Sequence, residues 1–158
     1  MGFSGQPTWF SQNAASLAPD VLWSEAGHKQ IWNARYSPDG THAAAVGYDG
    51  TLTVYAARTG KVQWRMVSPR KTPLYGLDWS PDGTLIAAGA KDRNIYLHDA
   101  TTGRLLQTVR GSGDLVTNVA WSPDGRTLAS VAGGPLVALA TNQLVEGPDM
   151  QLRLWSLQ

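Results

Sequence analysis

The chain contains no cysteine, which excludes disulfides and thiolate metal sites. It also lacks any sustained helical period of apolar residues, which argues against a helix-built architecture. Neither sign of charge is in excess: 13 Lys and Arg stand against 12 Asp and Glu, so no strong field gathers nucleic acid or an anionic lipid surface. Residues 1–20 lack the basic start and apolar run of a secretory signal. No segment approaches the roughly 20 apolar residues that a helix needs to span a bilayer. These absences lead us to expect a soluble, cytoplasmic protein with neither nucleic acid nor membrane as partner. In their place stand 17 Gly, 9 Pro and 7 Trp among 158 residues, a mixture suited to many short strands joined by tight turns.

Those turns recur in register. Ser-Pro-Asp-Gly occurs at Ser37–Gly40, Ser80–Gly83 and Ser122–Gly125, each time after an aromatic residue (Tyr36, Trp79, Trp121). A repeat of about 40–45 residues is the length of one four-stranded blade of a β-propeller. Asp-Gly is a tight-turn pair because Gly takes positive φ freely and Asp bonds its own backbone. A short strand precedes each copy (Trp32–Tyr36, Tyr75–Trp79, Thr117–Trp121), and a strand of small apolar residues follows (Ala43–Val46, Leu85–Ala88, Leu128–Ala132). The third strand alternates, placing Leu52 and Val54, Ile95 and Leu97, and Leu152 and Leu154 on one face. Fourth strands follow at Val62–Met66 and Leu105–Val109. The fold class is therefore all-β, with blades over about 24–67, 68–109 and 110–158 and a preceding tail over 1–18.

The chain resembles the WD-repeat β-propellers over roughly residues 19–158. In that family a Gly-His pair opens the repeat, an Asp lies in the turn between second and third strands, and Trp-Asp ends the third strand. Gly27-His28, Asp49 and Tyr55-Ala56 stand at these places in the first repeat. Pro69-Arg70, Asp92 and His98-Asp99 stand there in the second, and Gly111-Ser112, Asp149 and Trp155-Ser156 in the third. The resemblance implies that His28, Asp49, Asp92, Asp149 and Trp155 form a structural hydrogen-bond network, incomplete in each blade. It also implies that protein partners dock on the face bearing the turns between second and third strands. The positions on that face are Trp32, Tyr48, Tyr75, Lys91, Thr117 and Pro148. Large aromatics beside a cation suit protein recognition, although Trp32 and Tyr75 could equally serve to pack adjacent blades.

Strand order raises the question of closure. A lone strand around Val21, Leu22 and Trp23 occupies the place that Val62–Trp64 has in the next repeat, and the repeats end on Leu152–Trp155, a third strand. Closed rings of the family pair such a first strand with the last blade. Propellers use about four to eight blades, so three blades are expected not to close on themselves, and the clasp of Val21, Leu22 and Trp23 with Leu152 and Leu154 is expected between molecules. A homodimer, favoured here, would give six blades and a homotrimer nine; a complementary chain of four blades would give seven. The alternative is a piece of a larger WD-repeat domain attached to a signalling enzyme. A sugar-binding or enzymatic propeller would need polar groups converging on the channel, and the repeats supply only scattered ones.

Two segments depart from the repeat. Residues 134–148 enlarge the turn before the last strand, and are read either as an extended hairpin over their own blade or as a partner-binding projection. Residues 1–18 carry Trp9-Phe10, read as a tail that docks through these rings. No metal, cofactor or catalytic set is indicated: His28, His42 and His98 lie in different strand contexts without ligand spacing. The expected role is a non-catalytic scaffold for protein–protein interaction.

Overall fold

A computed structural model describes residues 21–25, 29–110, 112–133, 136–138, 143–145 and 151–157. The three Asp-Gly turns set its local order. Gly40, Gly83 and Gly125 take φ of 70°, 73° and 70°, and their amides bond the carbonyls of Ser37, Ser80 and Ser122. The Asp carboxylate locks each turn, accepting the serine hydroxyl at 2.6 Å in all three copies and the amide two residues on at 2.9–3.0 Å. The turn Asp therefore organises the hairpin together with its Gly.

From these turns the strands follow in phase. The first repeat forms β1 (Ile31–Tyr36), β2 (His42–Gly47), β3 (Thr51–Ala56) and β4 (Val62–Val67); the second forms β5 (Leu74–Trp79), β6 (Leu85–Ala90), β7 (Asn94–Asp99) and β8 (Leu105–Arg110). The third forms β9 (Val116–Trp121), β10 (Thr127–Ala132), β11 (Leu136–Ala138), β12 (Gln143–Val145) and β13 (Gln151–Ser156). Two sheets are four-stranded antiparallel meanders, β1-β2-β3-β4 and β5-β6-β7-β8, while the third is three-stranded, β9-β10-β13. The inserted segment carries the hairpin β11-β12, with Leu136 opposite Val145. The tail 1–18, with Trp9 and Phe10, lies outside the described residues. Residues 21–25 do not form the expected strand, since a strand needs a hydrogen-bonding neighbour and the place beside Val21–Trp23 has none among the described residues.

The core lies between blades. Ala44, Val46, Leu52 and Val54 of the first sheet pack with Leu74, Leu77, Trp79 and Ile86 of the second. Ala87, Ile95 and Leu97 pack in the same way with Val116, Val119 and Leu128 of the third. Each sheet thus offers one face to the preceding blade and the other to the next, as the period of two requires. The small residues permit close approach. A Cβ on Gly76 of β5 would come within 2.7 Å of Asn118 Cα on β9.

Candidate functional site: open flanks and an aromatic face

Burial of equivalent positions differs sharply from blade to blade. Leu52 and Ile95 are 0% and 1% exposed, whereas Leu152, at the same place in β13, is 68% exposed. Val54 and Leu97 are 1% and 3% exposed, against 72% for Leu154. The flank of the third blade therefore presents, uncovered, the residues that the other two blades bury against a neighbour. The outer flank of the first blade is open in the complementary sense. Ile31 and Tyr36 are exposed where the second blade buries Leu74 and Trp79. A groove of about 260 Å³ runs along this flank, lined by Trp23, Ile31, Ala34, Ala43–Ala45 and Tyr55 among others.

Trp23 fixes the phase of the segment before it. Its indole N–H donates to Ala57 O at 2.7 Å, and its ring lies against Gly60 and 5.4 Å from the ring of Tyr55. Trp64 makes the equivalent link one repeat later, donating to Ala100 O at 3.0 Å with its ring on Gly103. Trp64 belongs to the fourth strand of one blade and is anchored in the next. Trp23 thus has the place of a fourth-strand tryptophan from a preceding blade. Val21 and Leu22 beside it are 82% and 79% exposed.

At the end of the blades that bears the β2–β3 and β6–β7 turns, part of the expected partner face comes together. The rings of Trp32 and Tyr75 meet edge to face at 5.4 Å. Tyr48 is close enough to Tyr75 to act on its ionisation, and burial first, then Tyr48, pushes the Tyr75 pKa up. The backbone of Lys91 is pinned by its amide on Pro73 O at 2.9 Å, with the side chain exposed. The Thr117 hydroxyl donates to Val131 O at 3.2 Å. Pro148, Asp149 and His28 lie outside the described residues.

The family model for the WD domain, G-beta repeat, matches residues 20–55 and 103–156, together more than half of the sequence. The chain belongs to the WD-repeat family. Residues 63–124 are similar to the WD40 domain of anaphase-promoting complex subunit 4. No curated protein matches the chain significantly. WD repeats generally mediate protein–protein interaction and are typically non-catalytic scaffolds.

The WD-repeat polar network survives in pieces. In the third blade Trp155 Nε1 donates to Ser130 Oγ at 2.8 Å, a serine hidden in the sequence among the small residues of β10. Ala88 takes the place of Ser130 in the second blade and His98 that of Trp155. His98 is fully buried, with Nδ1 3.1 Å from Gly103 O and no partner for Nε2; burial holds its pKa below the usual value. Asp92 accepts the Tyr96 hydroxyl at 2.5 Å and the Asn94 amide at 3.3 Å. Asp49 accepts the Thr51 hydroxyl at 2.6 Å and its amide at 3.0 Å. The pairs expected to stand where Gly27-His28 does shift by one residue. Tyr48 N–Gln30 O, Lys91 N–Pro73 O and Gly133 N–Leu115 O are equivalent bonds, so counting back gives Arg70-Lys71 and Ser112-Gly113.

At the opposite end, a cleft of about 580 Å³ between the first two blades is lined by Asp39, Trp64, Trp79 and Asp82 among others. Both carboxylates are committed to their own turns. Bonds from Ser37 and Thr41 bring the Asp39 pKa down to about 2. Among the described residues no cluster of three or more His, Asp and Glu could hold a metal, and no helix is long and apolar enough to cross a membrane.

Proposed function

We propose that this WD-repeat chain is a non-catalytic scaffold whose propeller is completed by other chains, a second copy first among them. The observation that carries this reading is the exposure of Leu152 and Leu154 at positions whose counterparts in the two preceding blades are buried. A second copy supplies what each open flank needs. Its Val21–Trp23 segment would pair along the free edge of β13, giving the third sheet its fourth strand. Its first blade would cover Leu152 and Leu154 with Ile31, Tyr36 and the Ala43–Ala45 groove, just as Leu74, Trp79, Ile86 and Ala88 pack with Leu52 and Val54. The contact is heterologous, head to tail, and two such contacts would close six blades, within the usual range. Each should bury on the order of the ~1,600 Å² typical of a stable interface.

Solution mass is the direct test. Sedimentation or light scattering should give twice 17.0 kDa, and deletion of residues 1–24 should leave a monomer. A compact, monodisperse monomer of the full chain would defeat the homodimer. Survival of the oligomer after the deletion would show that the clasp is elsewhere.

A further inference from the structure

The end of the blades that gathers Trp32, Tyr48 and Tyr75 also gathers cations. Lys29, Arg70, Lys71, Lys91 and Arg93 all lie there with exposed side chains. Of these five only Arg70 has an ion-pair partner among the described residues, Asp92 at 4.0 Å. The carboxylates described at this end are wholly or partly withdrawn: Asp114 is buried, the Asp92 side chain is 12% exposed, and Asp49 is half-buried and bonded to Thr51. At the other end of the same blades, Asp39, Asp82, Asp99 and Asp124 are matched by Arg58, Lys61, Arg104 and Arg126. Among the described residues the positive excess thus lies at this end.

Backbone conformation gives a second, independent sign. Among the described residues only two other than glycine have positive φ, Lys71 at 51° and Arg93 at 73°. Both belong to this cationic group. Arg93 occupies the place of Gly50, whose φ is 76°, so the second repeat keeps a bulky cation where the first uses the residue suited to that conformation. Side chains held in such conformations concentrate at functional sites. The loop before β5 is firmly built as well: Ser68 Oγ donates to Thr72 O at 2.8 Å, and Lys71 N bonds Ser68 O at 2.8 Å.

From this juxtaposition we infer that the aromatic face binds an acidic peptide segment of a partner protein, its carboxylates paired by Lys91, Arg93, Arg70 and Lys71 and its apolar side chains lying on Trp32, Tyr48 and Tyr75. Exposed aromatics supply contact area with little side-chain entropy to lose, and the surrounding cations give orientation and speed of encounter. The small net charge of the chain favours a peptide over a nucleic-acid backbone. The inference rests on the interaction-scaffold reading but not on how the ring is closed.

Fluorescence anisotropy with three probes tests it: a labelled twelve-residue peptide alternating Glu and Leu, the same peptide with Lys for Glu, and a twelve-nucleotide oligothymidine. The acidic peptide should bind, and weaken as salt rises. The Lys peptide should not bind. The double variant Lys91→Ala, Arg93→Gly should bind the acidic peptide at least about tenfold more weakly without loss of thermal stability, since glycine suits position 93. A separate Trp32→Ala variant should weaken binding too. No binding of the acidic peptide, equal binding of the Lys peptide, tighter binding of oligothymidine, or an unaffected double variant would each overturn the proposal. The mass of every sample is measured alongside. Binding by a monomer refutes the homodimer and leaves the acidic-peptide site standing; an intact oligomer that ignores the peptide does the reverse.

Discussion

Leu97 and Leu154 allow a controlled comparison, because they occupy one repeat position and differ chiefly in cover, at 3% and 72% exposed. Leu97→Ala empties part of the core between second and third blades and should cost about 2–5 kcal/mol. Leu154→Ala, in a chain dilute enough to be monomeric, trims a side chain already mostly in water and should stay within about 0.5 kcal/mol. In the proposed dimer Leu154 is covered at both contacts, and its truncation should weaken association by about 2–3 kcal/mol at each, about 4–6 kcal/mol together. That corresponds to a rise of roughly 1,000- to 20,000-fold in the dissociation constant. Urea unfolding followed by tryptophan fluorescence over a dilution series separates the cases, because a partner that binds only the folded chain makes the midpoint depend on concentration. The wild-type midpoint should climb with concentration. That of Leu154→Ala should join it only at much higher concentration, while Leu97→Ala is displaced downward throughout. If Leu154→Ala proved as damaging as Leu97→Ala at the lowest concentration, or left the concentration dependence untouched, the third-blade flank would not be the interface.

Asp92→Ala should destabilise by about 1–3 kcal/mol, since it strips a mostly buried acceptor from the Tyr96 hydroxyl, whereas Asp82→Ala in its exposed hairpin should cost under about 1 kcal/mol; equal melting temperatures would remove the distinction. Burial of His98 lowers its folded pKa below 6.5, so the unfolded chain takes up a proton first as the pH falls. Stability should then decline from about pH 6.5 down to the depressed native value, at no more than about 1.4 kcal/mol per pH unit. His98→Phe should show a shallower decline over that window, and parallel curves for the two proteins would exclude the assignment. Gly76→Ala places a Cβ within 2.7 Å of the Asn118 backbone and should cost about 1–3 kcal/mol by forcing the second and third blades apart; a neutral effect on urea unfolding would show that the contact yields freely.

The architecture was legible because the decisive chemistry is local. Ser-Pro-Asp-Gly fixes a turn through groups within five residues, and the alternation of Leu52 with Val54 or Ile95 with Leu97 fixes a face through period two. The phase of Trp23 was legible too, by counting from the turns, but its loss of strand structure was not: hydrogen bonding along an edge depends on a neighbour that no local pattern supplies. The indole bonds of Trp23 and Trp64 join groups 34 and 36 residues apart, so they emerge only once each segment packs on the blade that follows it. Ser130 escaped notice because a serine among alanines and valines looks like any small strand residue; it lies opposite Arg153, and its bond to the Trp155 indole, two residues along β13, emerges only from the register. The left-handed conformations of Lys71 and Arg93 left no compositional trace, since neither is a residue that turns favour.

The alternation of covered and open faces also bears on how the chain yields under stress. The middle sheet is gripped on both sides, and each outer sheet on one only. With contacts confined to neighbours, the molecule behaves as a short linear array in which stability is a sum of units and junctions. The outer units should then open at lower free energy than the middle one, so amide protons of β6 and β7 should exchange with solvent last, and those of β1 and β13 first. A partner seated on the flanks would lengthen the array and turn its ends into interior junctions. The slowing of exchange would then spread outward from the middle sheet, marking assembly in the backbone of residues that touch no other chain.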